Sequence, residues 1–171
     1  MPKIERKFMA HLIDADFNAE KPNWWRIGKD LEEFNMELNP DTETSKNILG
    51  ETTFKHNGYE ESAEVDPYYA NTEDPIFPKL QQIVDERATG DACKTSQLEV
   101  HMWEGDETAG FEAYKQDCYV IPNSYGGDTS GYQIPFGVYP VGARTKGIYV
   151  PSTKTFTADG AAASAQSETE E

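Results

Sequence analysis

The clearest pattern in this chain is a strict alternation of apolar and polar residues from Glu33 to Asn39. Such a period of two is typical of a strand with one buried face. A polar segment, residues 40–50, follows, and a second strand-like run, residues 51–56, stops at the turn dipeptide Asn57-Gly58. The pattern therefore predicts a long β-hairpin whose tip loop is the polar segment.

The first strand of this predicted hairpin has two unlike faces. Its apolar face would pack on a core and its polar face would be open; the apolar positions are Phe34, Met36 and Leu38, and the polar positions are Glu33, Asn35 and Glu37. The tip loop holds an isolated apolar pair, Ile48-Leu49. Because two strands alone are barely stable in water, the hairpin is expected to need partners at its edges, its apolar face and its tip.

Elsewhere the chain predicts further strands and one helix. Apolar residues alternate with polar ones at 98–102 and 132–138, and residues 111–121 form another long strand-like run. A helix at about residues 76–88 is indicated by apolar residues at helical spacing, with Asp74 as its cap, Pro75 at its first position and Gly90 after its end. The expected fold class is mainly β with one α-helix.

The organisation along the chain is an arm, one domain and a tail. Residues 1–8 form an N-terminal arm in which basic residues are concentrated, and residues 9–157 form the folded domain. From residue 158 to 171 the sequence consists mostly of small, polar and acidic residues, a composition that predicts a disordered acidic tail.

Several segments, taken in order and spacing, resemble the major tail tube proteins of long-tailed bacteriophages. The resemblance covers roughly residues 8 to 157. The segments are Trp24-Trp25-Arg26-Ile27-Gly28-Lys29-Asp30-Leu31-Glu32-Glu33, Asn39-Pro40, Lys46-Asn47-Ile48-Leu49-Gly50, Asp74-Pro75-Ile76-Phe77 and Gly126-Gly127-Asp128-Thr129.

The resemblance implies a small β-sandwich or barrel with one helix. It also implies a structural subunit of the virion tail that is assembled in the host cytoplasm. In that family six copies form a ring, the hairpin joins a barrel shared between subunits, and the rings stack into a tube that conducts DNA. The implied partners are further copies of the chain, a tape measure protein, tail tip or baseplate proteins, a tail terminator protein and passing DNA. On this reading Glu33, Asn35 and Glu37 face the lumen, and Ile48 and Leu49 contact the next ring.

Charge agrees with a conduit for DNA. The formal net charge of the 171 residues is -16. A protein that grips phosphates needs a basic surface, and a protein that binds anionic lipid does too, so both classes are disfavoured. An acidic wall repels the duplex and lets it pass. Four strands from each of six subunits, spaced ~4.8 Å apart, would enclose a barrel of ~37 Å diameter.

Catalytic and ligand motifs are absent from the sequence. There is no phosphate-binding loop and no nucleophile elbow, and the three histidines lie far apart. The two cysteines, Cys93 and Cys118, lack metal-site or redox spacing. No apolar run is long enough for a membrane span. The chain is therefore expected not to be an enzyme and to have no cofactor, metal or membrane partner.

Two other functions remain open on the sequence. The first is the inner tube of a contractile tail or tailocin, which would share the fold. The second belongs to another class, a monomeric β-sandwich that binds carbohydrate. Electron microscopy of the purified protein separates assembling subunits from a monomeric module.

Overall fold

One antiparallel sheet of eight strands organises the chain, in a computed structural model that describes residues 2–17 and 20–159. The strands are β1 Met9–Asp14, β2 Trp24–Arg26, β3 Met36–Glu37, β4 Pro40–Lys46, β5 Thr52–Tyr59, β6 Ser62–Val65, β7 Lys94–Asp106, β8 Gly110–Pro122, β9 Gly126–Asp128, β10 Gly131–Gln133, β11 Phe136–Val150 and β12 Thr155–Ala158. In the large sheet, seven strands follow the order β2-β1-β7-β8-β11-β6-β3, and β12 pairs with β11. The remaining strands form two small two-stranded sheets, β4-β5 and β9-β10.

Among residues 2–17 and 20–159 there is one named α-helix, α1, which spans Ile76–Glu86, and short 3-10 turns lie at Arg6–Phe8 and Gly90–Cys93. A mainly β fold with one helix is confirmed. The sheet branches at β11, which pairs with β8 along one side and with both β6 and β12 along the other.

Two cores lie on opposite faces of the same sheet. Leu12 and Ile13 are neighbours in β1, yet each is buried in a different cluster because successive strand residues point to opposite faces. The core around Ile13 is covered by α1 through Ile76 and Leu80, both fully buried. The long strands therefore bury one face where they pass α1 and the opposite face where they pass β12.

The helix begins and ends differently from its prediction. Pro75 occupies the N-cap, and the carboxylate of Asp74 accepts a hydrogen bond from the Tyr68 hydroxyl at 3.1 Å instead of capping. Arg87 ends the helix in the left-handed conformation with φ of 51°, three residues before Gly90. The apolar spacing found the helix, whereas the tertiary contacts of Asp74 decided its start.

The hairpin forms, but seven residues later than the alternation predicted. Its strands are β4 and β5, and the polar segment expected as the tip loop is mostly the strand β4. Of the alternating stretch 33–39, only Met36–Glu37 is a strand, and it pairs with β6. The register shifts near Asp41, opposite Asn57-Gly58, so that dipeptide belongs to an irregularity inside β5 and not to a turn.

Three further expectations are corrected. The segment 132–138 is split between β10 and β11, with Pro135 between them. Residues 126–131, whose glycine-rich composition predicts a loop, contain β9 and part of the β9-β10 hairpin. The predicted tail starts one residue early, because Ala158 still pairs with Gly147 of β11, and its residues 160–171 lie outside the described residues.

Candidate assembly surfaces

The β4-β5 hairpin projects from the body. Every residue of β4 is exposed, and within β5 only Gly58 is partly covered. A seven-residue strand at ~3.3 Å per residue extends about 23 Å. A two-stranded ribbon of this kind buries too little apolar area to be stable alone, so its surfaces are those on which a partner would act.

The tip of the hairpin is a short, tightly hydrogen-bonded loop, residues 47–51. The side-chain oxygen of Asn47 accepts hydrogen bonds from the backbone N–H groups of Leu49, at 2.9 Å, and Glu51, at 3.0 Å. Its amide nitrogen donates to the Glu51 carboxylate at 2.8 Å. Gly50 supplies the φ of +83° that the turn requires. These bonds hold the loop in one shape.

That loop displays the apolar pair foreseen from the sequence. Ile48 is 103% exposed and Leu49 is 77% exposed, so neither side chain packs on its own domain. Each would release about 1.5–3 kcal/mol on full burial. The sequence identified the pair, although it placed the pair near the end of a long loop instead of in a tight turn.

A second surface is acidic. Glu33, Asn35 and Glu37 are all exposed and line one side of a shallow depression of about 590 Å³, with Glu64 and Asp66 on the other side. The Asn35 amide donates to the Glu33 carboxylate at 2.7 Å. The structure thus brings the three predicted polar residues together and adds two acidic residues that the alternation did not identify.

The apolar side of the same stretch is only partly as expected. Phe34 is buried in the core that α1 covers, and Met36 packs against that core. Leu38, predicted to pack with them, is 51% exposed. The reason is that β3 ends at Glu37, after which the chain leaves the sheet and turns at Asn39, whose φ is 45°.

A polar cluster crosses the sheet on β7, β8 and β11. Glu99 contacts the His101 imidazole at 2.8 Å and the Arg144 guanidinium at 3.4 Å. Arg144 lies 4.3 Å from the Tyr114 ring centroid, and His101 stacks on Trp103 at 4.5 Å. Burial acts to raise the pKa of Glu99, but the His101 hydrogen bond and the Arg144 charge outweigh it and lower that pKa.

His11 lies beside this cluster, opposite Glu99 in the register of β1 and β7. Burial lowers its pKa to about 4; the negative charge of Glu99 opposes this shift, while the positive charges of Arg6, His101 and Arg144 add to it. His11 is therefore a partly buried, neutral residue at neutral pH. The spacing of the histidines along the chain did not indicate that two of them share one carboxylate.

Four basic side chains line one depression. Arg6, Lys7, Arg26 and Lys29 border a cavity of about 540 Å³, whose lining also includes the carboxylates Glu32 and Glu33 and apolar residues of β1 and of the segment before β3. Arg6 donates to the backbone carbonyls of Met9 at 2.6 Å and Phe34 at 3.0 Å. These bonds hold the arm against its own domain.

Ligand chemistry is sparse in the described part of the chain. Within residues 2–17 and 20–159, no group of three or more His, Cys, Asp or Glu side chains could hold a metal ion. In the same residues, no helix has both the length and the apolar character needed to cross a membrane. Cys93 and Cys118 are free and buried, and burial raises the pKa of the Cys118 thiol to about 12.

The fold of the chain is similar to that of a protein in a solved tail structure. The chain superimposes on the protein of the "tail of empty GTA particle", a structure with C6 symmetry, at a TM-score of 0.54 and 13% sequence identity; the match covers 91% of this chain and 100% of the other. No protein family matches the sequence, and no curated protein matches it.

Two further structures come from an extracellular contractile injection system and the anti-feeding prophage baseplate. Their TM-scores are 0.48 and 0.46, at 8% and 11% identity, each covering 85% of this chain. The chain has a tail-tube-like fold, as its similarity to the GTA tail structure shows.

Proposed function

We propose that this protein is a structural subunit of a phage tail tube, in which hexameric rings stack and conduct DNA during ejection. The observation that carries the proposal is the projecting hairpin, which exposes two adjacent large apolar side chains on a hydrogen-bonded tip. A monomer gains nothing from this arrangement, whereas a stacked assembly buries the tip. The similarity of fold to a subunit of a six-fold symmetric tail supports the proposal.

Within the ring, the acidic depression faces the lumen. Glu33, Asn35 and Glu37 carry exposed polar groups beside Glu64 and Asp66, and no described Lys or Arg lines the depression. Because each Lys or Arg contact with a phosphate adds affinity, a wall without them lets the duplex slide. The net charge of -16 in each copy has the sign that such a wall needs.

Between rings, Ile48 and Leu49 provide the contact. Six tips from one ring act together on the next ring, so that a modest gain for each tip multiplies along the stack. The other partners of such a tube are a tape measure protein, tail tip or baseplate proteins and a tail terminator protein, and the assembled protein resides in the virion tail.

Assembly itself is the direct test. Analytical ultracentrifugation over a range of protein concentrations at moderate salt, with negative-stain electron microscopy of the same samples, should reveal rings or tubes about 37 Å across at the inner barrel backbone. One monomeric species at every concentration would reject the proposal and favour a monomeric binding module.

A further inference from the structure

An apolar groove opens between α1 and the segment that follows β8. Its volume is about 340 Å³, and Ile83 and Val84 of the helix lie at its floor. Its rim includes two exposed apolar residues, Ile121 at 43% and Tyr125 at 53%. The groove therefore combines an apolar floor with two exposed apolar side chains at its rim.

Arg87 gives this groove a fixed positive charge. The guanidinium lies 5.3 Å from the Tyr125 ring centroid and donates to the Tyr125 hydroxyl at 3.0 Å. A second guanidinium nitrogen donates to the carbonyl of Val84. Among the described residues that line the groove, Arg87 is the one with a formal charge. The site thus combines an apolar floor with one positioned cation.

The groove and the hairpin lie toward opposite ends of β6. The hairpin leaves the sheet where Glu37 pairs with Ser62. At the other end of β6, Val65 pairs with Phe136, which in turn pairs with Pro122 at the groove. Since β3 runs antiparallel to β6, the chain enters the hairpin heading away from the groove.

This separation suits an open stack. A contact that joins identical subunits head to tail uses two different surfaces on each copy, and repeats without closing when those surfaces point in opposite directions. The tip also matches the groove chemically. It presents Ile48 and Leu49, and Glu51 is the one charged residue among residues 47–51, all of which the structure describes.

We infer that the groove receives the Ile48-Leu49 tip of a second copy of this chain in the adjacent ring, with Glu51 next to Arg87. The inference rests on the proposed tube function and names the surface on which the tip acts. The apolar pair covers the helix floor and the ring of Tyr125. The carboxylate meets the guanidinium at the rim, where it adds orientation more than affinity.

Disulfide trapping between two single variants tests this contact. Leu49→Cys protein and Ile121→Cys protein are mixed, allowed to assemble and oxidised, and the product is analysed on a non-reducing gel. A disulfide needs Cα atoms about 4.4–6.8 Å apart, so a cross-linked dimer reports close approach. The native thiols do not interfere because Cys93 and Cys118 are buried.

The matched control replaces Ile121→Cys with Ile148→Cys. Ile148 is also an exposed strand residue, at 39%, but lies on β11 away from the groove. We expect the cross-linked dimer of Leu49→Cys and Ile121→Cys proteins to be at least tenfold more abundant than the cross-linked dimer of Leu49→Cys and Ile148→Cys proteins. Tubes of normal length without this preference would overturn the groove contact and leave the tube function standing. Absence of any assembly by the unmodified protein would overturn both.

A charge exchange tests the contact without a new thiol. Glu51→Arg and Arg87→Glu are each expected to slow tube growth about fivefold, as loss of roughly 1 kcal/mol predicts. The double variant should recover most of the growth because the pair is restored in reverse. Equal growth of all four proteins, or a double variant no better than the single ones, would contradict the pairing.

Discussion

The side-chain oxygen of Asn47 accepts the backbone N–H of Leu49 at 2.9 Å, and this bond fixes the direction in which the hairpin presents its apolar tip. Without such a bond a five-residue connection would sample several shapes, and ordering it on contact would cost conformational entropy. The tip is thus preorganised, which lowers the cost of binding.

Removing the apolar tip should stop assembly and spare the fold. Ile48→Ser combined with Leu49→Ser changes two side chains that no part of the domain covers. The free energy of unfolding should therefore change by less than about 0.5 kcal/mol. Tube growth should fail, because the burial energy of both residues is lost in every subunit. Circular dichroism melting and negative-stain microscopy of one sample measure both.

The control for this variant is Ile48→Val with Leu49→Met, which keeps the tip apolar and should retain tube growth. Normal-length tubes from the serine variant, or loss of its cooperative transition, would each contradict an inter-ring role for the tip.

Reversing the charge of the acidic depression should slow DNA. Glu33→Lys with Glu37→Lys alters two exposed residues and should leave folding intact. Each ring would gain two lysines per subunit near the passing duplex, and their phosphate contacts should delay ejection more strongly at low salt. Time-resolved DNA release from tails shown to contain the variant is the measurement.

A matched charge change elsewhere separates position from net charge. Glu104→Lys with Glu107→Lys alters two exposed residues near the β7-β8 turn. If this control delays release as much as the depression variant, the lumen assignment is wrong. Release at the unmodified rate from the depression variant leads to the same conclusion.

Acid should destabilise the domain partly through His11. Its pKa is about 4 in the folded protein against 6.5 ordinarily, so between those values the unfolded chain binds a proton that the folded chain does not. Above pH 6.5 His11 is neutral in both states and does not change the free energy of unfolding with pH. As the pH falls from 6.5 toward 4, protonation of the unfolded chain lowers the free energy of unfolding by up to about 3 kcal/mol.

Urea unfolding at pH 7 and pH 4.5 measures this effect. The unmodified protein should lose more free energy of unfolding between the two values than His11→Gln, which cannot titrate. His56→Gln is the control for the substitution itself, because His56 is an exposed histidine. An equal loss in His11→Gln and the unmodified protein would exclude His11 as a source.

The end of the folded domain should lie after β12. Deleting residues 160–171 removes only small, polar and acidic residues, so the midpoint of thermal unfolding should stay within about 2 °C. Deleting residues 155–171 also removes β12 and Phe156, which packs against the second core, and should lower the midpoint by several degrees. Differential scanning calorimetry compares the two; similar midpoints would place the domain end earlier.

The sequence by itself determined the mainly β class, the presence of one helix and the existence of a hairpin with an apolar pair near its tip. Period-two and period-3.6 patterns report which residues are buried, and the segment around Ile76 and Leu80 follows the helical pattern clearly. The exposure of Glu33, Asn35 and Glu37 could also be predicted from the local sequence, because each of them lies next to a side chain that is buried or partly buried.

Only the tertiary structure decided where the hairpin lies. Residues of β4 and β5 are exposed on both faces, so no burial pattern marks them, and their pairing depends on the turn at Asn47 and the change of direction at Asn39. The alternation at 33–39 instead reflects a short strand beside β6. Likewise the groove near Tyr125 joins a helix to a distant strand end, a contact between segments far apart in sequence.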